Sequence, residues 1–267
     1  MDLRSYQQSS EALDAAGALT RTLGTSQPLP LRPQDEALLA DASCFRFGVA
    51  NNRPAWSLGE GPTVLLVHGY SGRGVQMAML AHAIARQGFR AVFFDAGGHG
   101  DARAEKIGFF TFINDVRDIA EHLDEPLYAM VGHSAGGLAM MRARALHGIR
   151  AQRYAVIAAP FFPYVPLARM RANGASDTSL EYVKVFLSDQ FQTDWSSLVR
   201  GAAFEPEDDK PILAVYDRAD DRVSHDDAER IQNLWRQTTV VKTDGHGHNR
   251  VLRASETILA LQRFLGD

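Results

Sequence analysis

One cysteine, Cys44, stands in a chain of 267 residues. A single thiol excludes an intrachain disulfide framework and a multi-cysteine zinc site. It also makes a reducing compartment the default expectation. No run approaches the roughly 20 apolar residues that a membrane span needs. The opening stretch, MDLRSYQQSSEALDAAG, is polar and acidic where a signal peptide would carry an apolar core. The sequence therefore reads as soluble and cytoplasmic, with no membrane partner. Dense Lys/Arg runs are missing and the net charge is −4, so a nucleic-acid partner has no footprint. Internal repeats and long low-complexity tracts are missing too.

What is present is apolar material for one large core: hydrophobic residues make up 45% of the chain. The first 30 or so residues are mixed and read as an N-terminal extension. QPLPLRP, residues 27–33, reads as a rigid linker because its prolines resist helix and ladder alike. DEALLADA, residues 35–42, reads as a short helix. After it, strand-like and helix-like segments alternate. CFRFGVA and RPAWSL form an early strand pair around Asn51 and Asn52. TVLLVHG is a continuous apolar run, as expected of a strand buried on both faces.

A helix is expected over residues 75–87, ending at Gly88. RAVFFD follows as a strand. Phe112, Val116, Ile119 and Leu123 recur at helical spacing. LYAMVG is a strand that leads into a helix over 135–147, and RYAVIAAP is another strand. PILAVYD and TTVVKT are late strands flanking a helix over 224–236, where Ser224 and Asp227 have the spacing of a capping box. A final helix is expected over 250–265. This alternation predicts an α/β fold, with a mostly parallel sheet of about eight strands flanked by helices.

The alternation breaks over residues 161–206. That stretch has little strand character and offers helical pieces, LEYVKVFLS and DWSSLVRG, after an aromatic beginning, FFPYVPL. It divides the core into residues 1–160 and 207–267 and reads as a helical lid over the carboxyl edge of the sheet, where open α/β folds bind ligands. Phe161, Phe162, Tyr164, Phe186 and Trp195 are the candidate substrate-binding residues. Val165, Leu167, Met170, Tyr182, Val185 and Phe191 could extend the same apolar ceiling. The competing reading is that these side chains pack the lid onto the core. Arg169 and Arg171 offer a slight hint of an acidic ligand.

The chemistry concentrates in GHSAGG. Gly-x-Ser-x-Gly at a strand-to-helix junction is a nucleophile elbow, a turn so tight that the serine backbone is strained and its neighbours must be small. Ser134 is the candidate nucleophile. It needs a base, and the base needs orienting. The order expected on such a sheet is serine, acid, histidine. Past the strand ending near Tyr216, YDRADDRVSH offers Asp220, with Asp221 and Asp217 as second and third choices. TDGHGHNRVL offers His248, closer to the last helix, ahead of His246. The backbone amides of Tyr70 and Ala135 are the candidate oxyanion hole. His68 and His99 read as structural histidines of loops, and His133 as an elbow filler pointing away from substrate.

Taken together, LLVHGY, FFDAGGHG, GHSAGG, YDRADDRVS and GHGHNRVL resemble the motifs of the α/β-hydrolase superfamily, in family order over roughly residues 45–265. The GHGHNRVL ending resembles a bacterial subgroup of lidded, poorly characterised hydrolases, which favours His248. Two positions depart from the family pattern: Asp101 stands where a serine often follows GGHG, and Ser224 where a proline often follows the valine. The resemblance implies a Ser134-Asp220-His248 triad cleaving carboxylic esters of small to medium acyl substrates through an acyl-enzyme. No metal or organic cofactor is implied, and the oligomeric state is open to a homodimer. Thioesterase, amidase and carbon–carbon hydrolase activities share the same machinery. A ligand-binding sensor retaining the triad is the alternative from a different class.

Overall fold

The computed structural model describes residues 30–104, 107–206 and 210–266. The N-terminal extension and the first part of the 27–33 linker lie outside the described residues. Eight strands form one sheet: β1 (Ser43–Phe47), β2 (Arg53–Leu58), β3 (Thr63–Val67), β4 (Arg90–Phe94), β5 (Leu127–His133), β6 (Ala151–Ile157), β7 (Ile212–Asp217) and β8 (Thr238–Thr243). Their order is β1-β2-β4-β3-β5-β6-β7-β8. The β1–β2 and β2–β4 pairs are antiparallel and all the others parallel.

The period-2 alternation of the strands explains why they read as unbroken apolar runs. Leu65, Val67, Val92, Phe94, Met130, Tyr154 and Val156 face one core. Val64, Leu66, Ala91, Phe93, Val131, Ala155 and Ile157 face the other. A sheet buried on both sides has no polar face to alternate with. The first core is covered by α3 (Phe109–Leu123) and α4 (Ser134–His147), through Phe112, Val116, Leu138 and Met141. The second is covered by α2 (Ala78–Ala85) and α10 (Ser255–Gly266), through Leu80, Ile84, Leu261 and Leu265. A short helix, α1 (Pro33–Leu39), precedes the sheet. Among the described residues, no helix is long and apolar enough to cross a membrane.

Between β6 and β7 the chain inserts α5 (Val165–Ala172), α6 (Asp177–Gln190) and α7 (Trp195–Val199). Ser176 caps α6 and Asp194 caps α7, each accepting from the amide three residues on. The insertion packs on the α3/α4 side through Met170, Leu180, Val183, Leu187 and Phe204. Arg142 of α4 donates to the carbonyls of Phe191 and Gln192, where the C-terminal end of α6 leaves acceptors free. The amide of Phe110 in α3 donates to the Gln190 side chain.

Three helix expectations need correction. The segment expected over 75–87 opens as a 3-10 turn, Gly74–Met77, before α2 begins. The last helix is broken into α9 (Gly247–Arg250), a 3-10 turn over Val251–Arg253, and α10. The helix after β7, α8, spans only Asp227–Leu234, and Ser224 with Asp227 does not form a capping box. Asp227 is buried and accepts from the Phe161 amide at 3.0 Å and the Tyr164 hydroxyl at 2.8 Å. Tertiary partners have claimed the carboxylate that the cap would have used.

Candidate active site

In the parallel part of the sheet, β3 runs between β4 and β5, so the connections leave it in opposite directions. Such a switch point opens a crevice at the carboxyl ends of the strands. The GHSAGG turn sits there. Ser134 follows β5 directly and takes a left-handed φ of 52°, costly for a residue with a Cβ. Its neighbours have no room to be larger. A Cβ on Gly132 would lie 2.4 Å from the Gly137 Cα, and one on Gly136 would lie 1.9 Å from the His68 carbonyl oxygen.

The structure brings Ser134, His248 and Asp220 together. His248 Nε2 lies 2.9 Å from Ser134 Oγ, and its Nδ1 lies 2.7 Å from Asp220 Oδ2. A carboxylate only accepts, so Nδ1 carries the proton and Nε2 is left to accept from the serine hydroxyl. The other oxygen of Asp220 accepts from the amides of Arg222 and Val223. Burial raises the Asp220 pKa, but the His248 bond and these amides outweigh it and hold the carboxyl below its ordinary value.

Asp221 and His246 stand outside this arrangement. Asp221 is exposed. His246 lies 3.6 Å from Glu256 near the start of α10. Asp217, the third-ranked acid, has a different task. It is buried and accepts from the amides of His246, Gly247 and Ala219 and from the Thr243 hydroxyl. One carboxylate thus ties the loop after β7 to the loop after β8. Burial works against its charge, but the four donors bring its pKa down to about 2. The signal for this brace was its position as the last residue of β7, beside the end of β8.

The three other histidines singled out in the sequence, His68, His99 and His133, are buried and bond to backbone. The Ala96 amide donates to His68 Nε2, so His68 Nδ1–H donates to the Gly69 carbonyl. Burial, reinforced by His99, pushes the His68 pKa down to about 3. His99 is lowered to about 4, chiefly by burial. Its ring meets Tyr70 edge-on at 5.1 Å, and burial pushes the Tyr70 phenol up to about 12. His133, expected to point away from substrate, is buried; it is among the residues lining the cavity, and its Nε2–H donates to the His248 carbonyl at 2.9 Å. It therefore braces the loop of His248 from β5, the strand that leads into Ser134. Asp101, the departure from the serine pattern, pairs with buried Arg73 at 2.7 Å and donates its amide to Asp95.

A cavity of about 330 Å³ opens over Ser134. Tyr70 and Ala135, the expected oxyanion donors, line it, together with Gly69, Gln76, Phe109, Val223 and Asn249. From the insertion and the residues leading into it come Pro160, Pro163, Val165, Pro166 and Arg169. None of the five aromatic residues expected to bind substrate is among the lining residues. Phe161 stacks on Phe204 at 5.6 Å, next to Gly201, and Phe162 packs against Trp195 at 5.8 Å. Phe186 lies against the core. The Tyr164 hydroxyl is engaged twice, donating to Asp227 and accepting from the Ser224 amide. Aromatic side chains of this size are drawn into packing wherever a core is within reach. Among the described residues there is no cluster of three or more His, Cys, Asp or Glu that could hold a metal ion.

A mostly parallel sheet with a strained serine at its switch point defines a class of protein, the α/β hydrolases. A family model for the alpha/beta hydrolase fold matches residues 62–206, and the chain belongs to that family. In sequence it is similar to a non-heme chloroperoxidase of Kitasatospora aureofaciens, 26% identical over 145 residues. That stretch makes up 54% of this chain and 53% of the chloroperoxidase. It is also similar to the magnesium-chelatase 30 kDa subunit of Rhodobacter capsulatus, 30% identical over 81 residues, which are 29% of this chain and 28% of that subunit. The chain thus matches about half the length of the first relative and less than a third of the second.

In structure it is similar to an esterase of Pyrococcus furiosus, with a TM-score of 0.63 and 16% identity over 90% of this chain and 94% of that one. A thioesterase domain from the curacin biosynthetic pathway gives a TM-score of 0.60 and 19% identity over 85% of this chain and 99% of that one. These structural likenesses establish the fold.

Proposed function

We propose that the protein is a serine hydrolase of carboxylic esters with small to medium acyl groups. The observation that carries this reading is the relay of two short hydrogen bonds, Ser134 Oγ to His248 Nε2 and His248 Nδ1 to Asp220, at the floor of an open cavity. Ser134 Oγ attacks the ester carbonyl carbon while His248 takes the hydroxyl proton. Asp220 holds the ring in the required tautomer and stabilises the imidazolium. The carbonyl electron pair moves to oxygen, where the amides of Tyr70 and Ala135 receive it. The first turn of α4 adds its own partial positive charge. Collapse expels the alcohol, which leaves with the proton from His248. Water then repeats the sequence on the acyl-enzyme and frees the acid.

The inserted helices act as a lid that sets acyl preference through Val165 and the three prolines rather than through its aromatic residues. A cavity of about 330 Å³ lies at the small end of ligand sites.

The test is labelling by a fluorophosphonate, with mass analysis of the modified peptide, beside turnover of p-nitrophenyl esters of increasing chain length. Modification at Ser134 and turnover that vanishes in Ser134→Ala are expected. Tight ligand retention with no turnover above the Ser134→Ala background would mark a sensor and sink the enzyme reading. A marked preference for thioesters over the matching oxygen esters would move the reading to a thioesterase.

A further inference from the structure

Two arginines line the cavity that holds Ser134 and His248: Arg169 on α5, and Arg222 on the loop between β7 and α8. They arrive from separate parts of the chain, one on the insertion and one on the loop that carries Asp220. No Asp or Glu is among the lining residues, so the cavity wall carries two positive charges and no negative one. This runs against the chain as a whole, whose net charge is −4.

Neighbouring arginines have acidic partners. Arg171, on the same helix as Arg169, lies 3.7 Å from Asp177. Arg218, on the same loop as Arg222, lies 2.8 Å from Asp244. Arg169 and Arg222 have no such side-chain partner among the described residues. Both are exposed at the cavity rim, where a ligand can reach them. The charge of Arg222 is felt at the nucleophile turn. After burial and His248, it helps to hold the His133 pKa down at about 3, against the opposite and larger pull of Asp220.

A guanidinium presents a fixed fork of donors that matches carboxylate and phosphate oxygens. Two forks on one cavity wall, with no acid among its lining residues, favour a ligand that brings its own negative charge. The ester carbonyl must sit over Ser134, so that charge belongs to another part of the substrate. We infer that the ester carries an anionic oxygen group, carboxylate or phosphate, away from the scissile bond, and that Arg169 and Arg222 hold it. This rests on the ester-hydrolase reading above and narrows its substrate class.

The experiment compares p-nitrophenyl monoesters of adipate, suberate and sebacate with p-nitrophenyl hexanoate, octanoate and decanoate, which match them in length but are neutral. The best diacid monoester is expected to exceed its neutral partner by about tenfold in kcat/KM, with the advantage shrinking as salt rises. In the Arg169→Gln/Arg222→Gln protein, the anionic ester should fall about tenfold further than the neutral one. Arg171→Gln, outside the cavity, should leave the preference in place. Wild-type preference for neutral esters, or equal loss of both in the double variant, overturns the inference while leaving a Ser134-dependent esterase standing.

If neither series is turned over, the hydrolase reading fails, and calorimetric binding of free suberate decides the inference. Binding lost in the double variant upholds it, and binding that is absent or unchanged overturns it. Competition by free suberate against inorganic phosphate separates carboxylate from phosphate, and inhibition by neither counts against the proposal.

Discussion

The loops at the carboxyl ends of β3, β5, β7 and β8 and the helices inserted after β6 meet at one cavity, yet they are built by different forces. The loops are held by directional bonds from buried polar side chains. Asp217 takes four donors, His133 fixes the His248 carbonyl, and His68 joins the loops after β3 and β4. The insertion is held mainly by apolar area, through Leu180, Val183, Leu187, Leu198 and Phe204. Its polar anchors among the described residues include Asp227 with Tyr164 and the Phe161 amide, Tyr164 with the Ser224 amide, Arg142, Arg144 on the Glu205 carbonyl, and Gln190. Hydrogen bonds fix positions to fractions of an ångström, whereas apolar packing accepts many arrangements of similar volume. The division matches the tasks proposed for each region: a relay that tolerates little displacement, and a cover that can vary with substrate.

The largest test of that division is Ser134→Ala. It should lower ester turnover by at least about 10⁴-fold while leaving thermal stability unchanged or improved, because the left-handed residue at the turn loses only its hydroxyl. The two histidines of the last loop come next. His248→Ala should cost about 10³-fold or more in kcat, and His246→Ala less than about tenfold, as read with one p-nitrophenyl ester. The reverse ranking would move the base to the Glu256-facing ring and break the loop side of the comparison.

The brace between the loops is tested by stability. Asp217 has a pKa lowered from its unfolded value, so its contribution is present in full above about pH 4 and is lost as pH falls toward about 2. Asp217→Asn should therefore cost about 2 kcal/mol at neutral pH in urea unfolding, and the deficit should shrink as pH falls through that window. The smallest changes in activity belong to the insertion. Phe161→Ala should cost about 3 kcal/mol of stability but alter kcat/KM by less than about threefold. Val165→Ala should do the opposite, moving the preferred acyl length with less than about 1 kcal/mol lost. An aromatic truncation that changes chain-length preference would return the aromatic residues to the cavity wall.

The two regions also differ in how legible they were. The sheet could be read because strands buried on both faces leave continuous apolar runs such as TVLLV and LYAMV, and because the elbow demands small residues at fixed spacing. Asp220 and His248 could be brought forward by chain order and by their distance from the following helix. The insertion was harder. Its aromatic residues are chemically able either to line a cavity or to fill a core, and nothing local distinguishes Phe161 packed on Phe204 from a Phe161 facing substrate. That outcome is set by residues distant in sequence. The bracing role of Asp217 escaped for the same reason. It looks like a loop carboxylate until the amides of a separate segment are brought against it. Ser224 and Asp227 had cap spacing, but a local cap loses to a buried tertiary partner.

Pro160, Pro163 and Pro166 stand on the cavity wall where the insertion begins. A proline has no backbone N–H and a fixed φ. That side of the cavity can therefore offer a ligand few main-chain donors, and it loses little conformational freedom when a ligand arrives. Affinity gained there comes without the ordering entropy that a glycine-rich cover would forfeit on closing. Selectivity along that wall falls to contour and to Arg169, the one charged side chain among its described lining residues.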